Sequence, residues 1–422
     1  MDLVIAGAGK AGSLHYRAYS HLARSGRLDR DRIRFVDPIR RAGPELAALL
    51  RRDGVTEKVV ADRAELTPTA PESTIVDLCL PSRTLAPALL EWWRAGYRKF
   101  VIEKPFTVPP ELVDDVRRVL ETSQAVLVRN YLHSQVHAAV RDLIGLYDLD
   151  PVLCVTNFSK DRRADNLRGR GASGTASPTV FEVEMPHQLY IGTDLLGEPA
   201  QVEYAEDLDP MTAPDGTPLR LGEGVIVGRA AHGAAFVHYS NLHYPTIVRS
   251  LDLFSRDGLS IHATYAPICE ELADIKAGVM LCRGSTVISK RLFTSDDNML
   301  GMVSHAFTRL SSDAPAHVDL DEVLRNSALI RSAVDEPAGP RPALGSARGD
   351  VLQGWVADSF KLGLEAGVGQ AFLAFLEQRQ RARLAGVLPA LDPAFHTATP
   401  APTSLRPPAA GRERLTREVL VP

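Results

Sequence analysis

Over residues 1–130, short apolar, β-branched runs recur between longer segments in which apolar positions return every three or four residues. The runs lie at Leu3–Ala6, Ile33–Asp37, Lys58–Ala61, Thr74–Leu80, Lys99–Glu103 and Ala125–Asn130. The helical period occupies residues near 11–24, 44–53, 84–95, 109–122 and 134–146. Runs that are apolar throughout belong to strands buried on both faces, and a helix between successive strands is what parallel pairing requires. The pattern predicts an α/β domain over 1–130, a parallel sheet covered by helices on both faces.

After Asp150-Pro151 the texture changes. A strand over Val152–Ser159 is followed by a polar Gly/Ser/Arg-rich loop, a helix over 180–196, and strands at 200–207, 224–231, 234–241, 247–256, 259–264 and 285–293. Consecutive strands without crossover helices predict a large, mostly antiparallel sheet with one open face. Helices over 298–311 and 319–334 complete an α+β substrate-binding and oligomerisation domain, 131–334. Residues 335–422 read as a linker, a helical extension and a Pro-rich tail.

Composition narrows the function classes. A length of 422 residues exceeds one core and fits two domains with an extension. A hydrophobic fraction of 45% and a charged fraction of 24% are those of a globular protein. The formal net charge of -4 gives no basic excess, so neither nucleic acid nor an anionic membrane is expected as partner. No run approaches the roughly 18 apolar residues of a membrane span, and the chain enters a strand at Leu3 without a leader pattern, so a cytoplasmic location is expected. Cys79, Cys154, Cys269 and Cys282 lie far apart with no Cys/His pairing of metal-ligand spacing, and read as buried reduced thiols with no metal site.

Candidate chemistry begins where the first strand ends, at Gly7-Ala8-Gly9-Lys10-Ala11-Gly12. In a GxGxxG between strand and helix the first glycine allows the tight turn, the second lets backbone approach a pyrophosphate, and the third lets helix and strand pack closely. The helix N-terminus then offers free N–H groups to the phosphates. The second strand ends in Asp37, which accepts ribose hydroxyls and repels a 2′-phosphate, favouring NAD. Arg40 and Arg41 are the residues that would accommodate a 2′-phosphate, which keeps NADP in view.

Three stretches together resemble the Gfo/Idh/MocA oxidoreductases, the glucose-fructose oxidoreductase and inositol dehydrogenase group. The opening GAGKAGSLHYRAY carries His15 three residues beyond the third glycine. Asp77-Leu78-Cys79-Leu80-Pro81-Ser82, a helix, then Val101-Ile102-Glu103-Lys104-Pro105 matches the family's Glu-Lys-Pro signature in order and spacing. His187 through Leu196-Gly197-Glu198-Pro199 is similar to the family helix that carries a catalytic histidine. The resemblance covers about residues 1–334 and implies a Rossmann domain, a nicotinamide cofactor and a homo-oligomer, dimer or tetramer.

It further implies that Leu80, Pro81, Glu103, Lys104 and Asn130 line the cofactor with the glycine turn and Asp37, and that Lys104 and His187 carry the chemistry. A cationic donor beside the reacting oxygen stabilises its developing negative charge, and an imidazole exchanges the proton near neutral pH. Where many members carry aspartates, this chain has Val183 and Tyr190. Glu184, three residues before His187, is the expected replacement, with Glu182 a weaker choice. Arg162 in the loop from Lys160 to Arg170, Tyr190, Asn241, His243 and its neighbour Tyr244 are candidates to face a substrate. The expected reaction is hydride transfer at a hydroxyl or keto carbon of a sugar, nucleotide sugar or cyclitol. The incomplete aspartate set leaves two alternatives, an imine or enone reductase and an inactive nucleotide-binding regulator.

Overall fold

The computed structural model describes residues 1–55, 59–66, 70–161, 179–207, 211–212, 218–219, 223–267, 277–284, 286–312 and 316–335. The expected loop carrying Arg162, the thiol of Cys269 and the extension beyond 335 lie outside the described residues.

The described chain forms two compact units. The first holds Met1–Ser134 and Asp297–Ser332. Its strands are β1 (Leu3–Ala6), β2 (Ile33–Val36), β3 (Val59–Val60), β4 (Ile75–Leu78), β5 (Lys99–Ile102) and β6 (Gln124–Leu127), all parallel, in the order β3-β2-β1-β4-β5-β6. Helices α1 (Lys10–Arg24), α2 (Pro44–Arg52), α3 (Ser82–Arg94) and α4 (Val113–Glu121) connect them. The order reverses between β1 and β4, and in open parallel sheets ligands bind outside the carboxyl ends of the strands at that switch. Every residue of β1 and β4 is buried, as the uninterrupted apolar runs predict. Strand β6 stops at Leu127, so Asn130 opens a short 3-10 turn rather than ending the strand.

The division is not the contiguous one read from the sequence. Beyond Asp297 the chain returns to the first unit, where Met302, Val303, Ala306 and Leu310 of α8 (Asn298–Ser311) share a core with Leu3, Ile5 and Tyr16. The apolar stripe of α8 announces a buried face without saying which sheet buries it.

The second unit spans Gln135–Pro267 and the residues from Ala277 to Asp296. It contains α5 (Gln135–Tyr147), β7 (Pro151–Asp161), α6 (Val180–Val183), α7 (Met185–Leu196) and β8 (Pro199–Asp207), then a small pair, β9 (Met211–Thr212) and β10 (Pro218–Leu219). The remaining strands are β11 (Glu223–Ala230), β12 (Ala235–Asn241), β13 (His243–Ser255), β14 (Leu259–Thr264), β15 (Ala277–Arg283) and β16 (Thr286–Phe293). Eight form one sheet, β16-β15-β14-β13-β7-β12-β11-β8, antiparallel except where β12 meets β7. Strand β15 was not anticipated. Helix α9 (Leu320–Asp335) ends the described chain.

The single helix expected over 180–196 is two. Thr179 and Glu182 form a capping box that starts α6, the backbone turns at Glu184, and α7 begins with Pro186 in its first turn. Proline is accommodated there because the first-turn N–H groups have no helical acceptor.

Candidate active site

In the first unit the glycine turn is built as its spacing requires. Gly7 has φ 107°, and a Cβ there would stand 2.3 Å from the carbonyl oxygen of Cys79. A Cβ on Gly12 would stand 2.0 Å from the Gly7 carbonyl oxygen. Gly9 differs: nothing lies within 4 Å of the position its Cβ would take. Gly9 is also the N-cap of α1, with no side-chain cap and no acidic residue in the first turn. The start of α1 thus has no side-chain cap and clear space beside Gly9, a cradle suited to a pyrophosphate. Lys10 pairs loosely with Glu45 at the surface, 3.8 Å apart.

Asp37 follows β2 and binds the turn itself. Its Oδ2 accepts the Ala8 N–H at 2.9 Å and its Oδ1 accepts the Ile39 N–H at 2.9 Å. A carboxylate oxygen has two acceptor directions, so ribose hydroxyls fit the remaining ones. Arg40 is paired with Glu65 at 2.8 Å, and Arg41 is exposed. Leu80, half-buried, and Pro81, exposed, lead from β4 into α3. Asn130 is buried and donates to Asn298 Oδ1 at 2.8 Å.

Behind the turn lies a buried polar cluster. His15 is fully buried; its Nδ1 is 2.7 Å from Asp77 Oδ2 and its Nε2 is 3.2 Å from Glu103 Oε1. Burial alone would push the His15 pKa down, but the negative charge of Asp77 carries it well above the ordinary imidazole value. Burial likewise opposes ionisation of Glu103, and the hydrogen bond and charge of His15, with Lys104 beyond, hold it below the ordinary carboxylate range. Glu103 Oε2 accepts the Lys104 backbone N–H at 2.6 Å. Lys104 is half-buried and joined to Pro105 by a cis peptide. Cys79 donates its thiol to Asp77 at 3.4 Å; burial, then Asp77, push its pKa up, so it is an inert thiol. The donor atoms of His15, Asp77 and Cys79 lie within 4.8 Å of one another, a closeness these hydrogen bonds account for.

In the second unit His187 lies in the first turn of α7, buried, its ring tilted 39° to Phe158 with centroids 6.2 Å apart. The His187 backbone N–H donates to the Glu184 carbonyl at 3.1 Å. The Glu184 carboxylate is held by two cations, Lys160 at 2.6 Å and Arg249 at 3.2 Å. Arg249 also donates to the carbonyls of Val248 and Ser159 and lies over the Phe158 ring, 5.1 Å from its centroid. Tyr190 and Asn241 are buried. His243 opens β13 opposite Asp161, and its side chain, like that of Tyr244, is outside the described set.

Two features, one in each unit, escaped the sequence. His15 and Asp77 appeared as motif members without a role, because their link spans 62 positions. Arg249 went unremarked, although a cation in the alternation Val248-Arg249-Ser250-Leu251 was the available signal, since a charge on an inward strand face requires a partner.

No family model and no curated protein matches the chain. Solved structures do. An oxidoreductase from Agrobacterium radiobacter in complex with NAD+, L-tartaric acid and magnesium matches 81% of this chain and 97% of its own at 15% identity and a TM-score of 0.59. An NAD-binding oxidoreductase from Klebsiella pneumoniae matches 79% and 97% at 15% identity and 0.59. A UDP-N-acetylglucosamine 3-dehydrogenase from Acidithiobacillus ferrooxidans matches 79% and 96% at 15% identity and 0.55. With a parallel sheet in the 3-2-1-4-5-6 order and a large, mostly antiparallel second sheet, the chain shares the fold of these structures.

Proposed function

We propose that this protein is an NAD(P)-dependent oxidoreductase transferring a hydride to or from a hydroxyl or keto carbon of a sugar, nucleotide sugar or cyclitol. The observation that carries the reading is the uncapped N-terminus of α1 beneath Gly9, open where every other glycine of the turn is packed against backbone. The names of similar structures, which include a nucleotide-sugar dehydrogenase, support the substrate class.

A bound nicotinamide supplies the hydride chemistry. Gly7, Gly9, Lys10, Ala11 and Gly12 hold the pyrophosphate, Asp37 the adenine ribose, and Leu80, Pro81, Glu103 and Asn130 the remainder. We infer a preference for NAD, because Asp37 repels a 2′-phosphate and Arg40 is engaged by Glu65. Lys104 polarises the reacting oxygen, lowering the barrier as charge develops there. His187 exchanges the proton. Glu184, with Lys160 and Arg249 on its carboxylate, anchors the start of α7 and so sets the turn that carries His187. Tyr190 and Asn241 belong to the substrate side of the reading, with Arg162 and His243. Three of the cysteines are buried free thiols, in keeping with a cytoplasmic protein. A homo-oligomer, dimer or tetramer, completes the reading, and light scattering after gel filtration tests it.

The deciding experiment titrates the protein with NADH and NADPH by fluorescence, then assays sugars, nucleotide sugars and cyclitols with wild type and Lys104→Ala. Binding with turnover that collapses in the variant is expected. Binding without turnover on the panel moves the assignment to imine or enone reduction or to a regulator. Failure to bind either nucleotide sinks it.

A further inference from the structure

The two ring nitrogens of His15 each stand within hydrogen-bond distance of a carboxylate oxygen, Asp77 on one side and Glu103 on the other. A neutral imidazole carries one N–H, so one carboxylate would then face a lone pair where the His15 side chain has no exposure. With both carboxyls ionised, only the imidazolium satisfies both contacts. The same glutamate accepts the Lys104 backbone N–H on its other oxygen. A continuous run of charge-assisted bonds therefore leads from α1, the helix that opens at the glycine turn, through Glu103 to the residue that bears the amine.

We propose that His15 is a positioning residue: by fixing the Glu103 carboxylate between itself and the Lys104 peptide, it sets where the Lys104 amine stands relative to the dinucleotide-binding helix. This rests on the reading of Lys104 as the polarising cation. Without the His15 bond, Glu103 loses one of its two anchors and the lysine gains freedom, a misplacement of the kind that costs rate rather than binding. Asp77 acts one step further back, holding the imidazole ring and its charge.

The test is a double-mutant cycle on the dinucleotide-bound protein. His15→Asn is expected to keep dinucleotide affinity and substrate KM within about threefold while kcat falls about tenfold or more. On a Lys104→Ala background the same change is expected to cost less than about twofold, because its effect runs through the lysine. An equal loss on both backgrounds, or an unchanged kcat, overturns the proposal and leaves His15 a structural bridge. Glu103→Gln interrupts the same link, so it runs the cycle if His15→Asn fails to fold.

A second readout needs no turnover. In reductively 13C-methylated protein, the Lys104 signal is the one lost in Lys104→Ala. Its titration midpoint is expected to move by about half a pH unit or more in His15→Asn. A midpoint unmoved in His15→Asn overturns the proposal whatever the substrate. Wild-type turnover in Lys104→Ala instead removes the role assigned to the lysine, a different failure with a different signature.

Discussion

A Cβ placed on Gly192 would stand 2.9 Å from Nε2 of His238, so the bare backbone of α7 lies directly against a fully buried imidazole of β12. The ring cannot retreat, because its Nδ1 is fixed to Thr156 Oγ1 at 2.7 Å. Gly192→Ala therefore overpacks a rigid contact, and a loss of about 1–3 kcal/mol is expected. Urea unfolding measures it. A variant as stable as wild type would mean that α7 shifts freely on the sheet.

His238 and His15 give stability opposite slopes with pH. Burial pushes the His238 pKa down to about 3, so the folded protein refuses a proton that the unfolded chain accepts near pH 6.5. Its contribution is complete above pH 6.5 and lost as pH falls, about 2 kcal/mol by pH 5. His305, lowered by burial and then by Arg309, adds in the same sense. His15 is raised by its carboxylate partner, so its contribution is complete below about pH 6.5 and lost as pH climbs through the folded value. Urea midpoints should fall on both sides of neutrality. His238→Gln should flatten the acid limb and His15→Asn the alkaline one. A midpoint that rises on going from pH 7 to 5 contradicts the first assignment.

These contacts mark where reading the chain stops. The glycine turn, the six parallel strands and the Glu103-Lys104-Pro105 corner were legible because each is local: a strand, a turn and a helix in sequence order, with glycines where backbone must approach backbone. Strand β15 was missed although Val279-Met280-Leu281-Cys282 is a continuous apolar run; the run is short, and Gly278 precedes it. In the fold that glycine faces Leu292 and the Arg291 carbonyl of β16, a close approach visible only once the strands pair. The helix start at Pro186 has a local signal, since proline suits a first turn, whereas the partners of Glu184 were hidden because Lys160 comes from β7 and Arg249 from β13. Asp37 was assigned to a ribose on its position, and its bonds to Ala8 and Ile39 show that it also builds the turn it serves.

Gly9 separates binding from folding. Gly7 and Gly12 cannot accept a side chain without meeting backbone, so alanine at either is expected to disturb the domain itself. Gly9 has φ -85° and ψ -153°, extended backbone open to any residue, with clear space beyond. Gly9→Ala should fold with stability within about 0.5 kcal/mol of wild type. The methyl then occupies the approach proposed for the pyrophosphate, and dinucleotide affinity should weaken by about tenfold or more. Nucleotide titration beside urea unfolding reads both quantities. Undiminished affinity would place the nucleotide elsewhere.

The Glu184 cluster makes the last expectation, because its three members differ in how they meet water. Glu184 and Arg249 are 2% and 4% exposed, whereas Lys160 keeps 25% of its side chain at the surface. Glu184→Ala removes the carboxylate paired with the buried Arg249 beside Phe158, and a loss of about 3–5 kcal/mol is expected. Lys160→Ala removes a partner that water can replace and should cost about 1 kcal/mol or less. Glu184→Gln keeps an acceptor but not the charge, and should fall between them. If the carboxylate instead carried a proton for His187, Glu184→Gln would lower kcat while leaving the urea midpoint alone. An anchoring role predicts the reverse order of sensitivity, stability first and rate through it. Urea midpoints and kcat for the three variants, taken together, decide between the two.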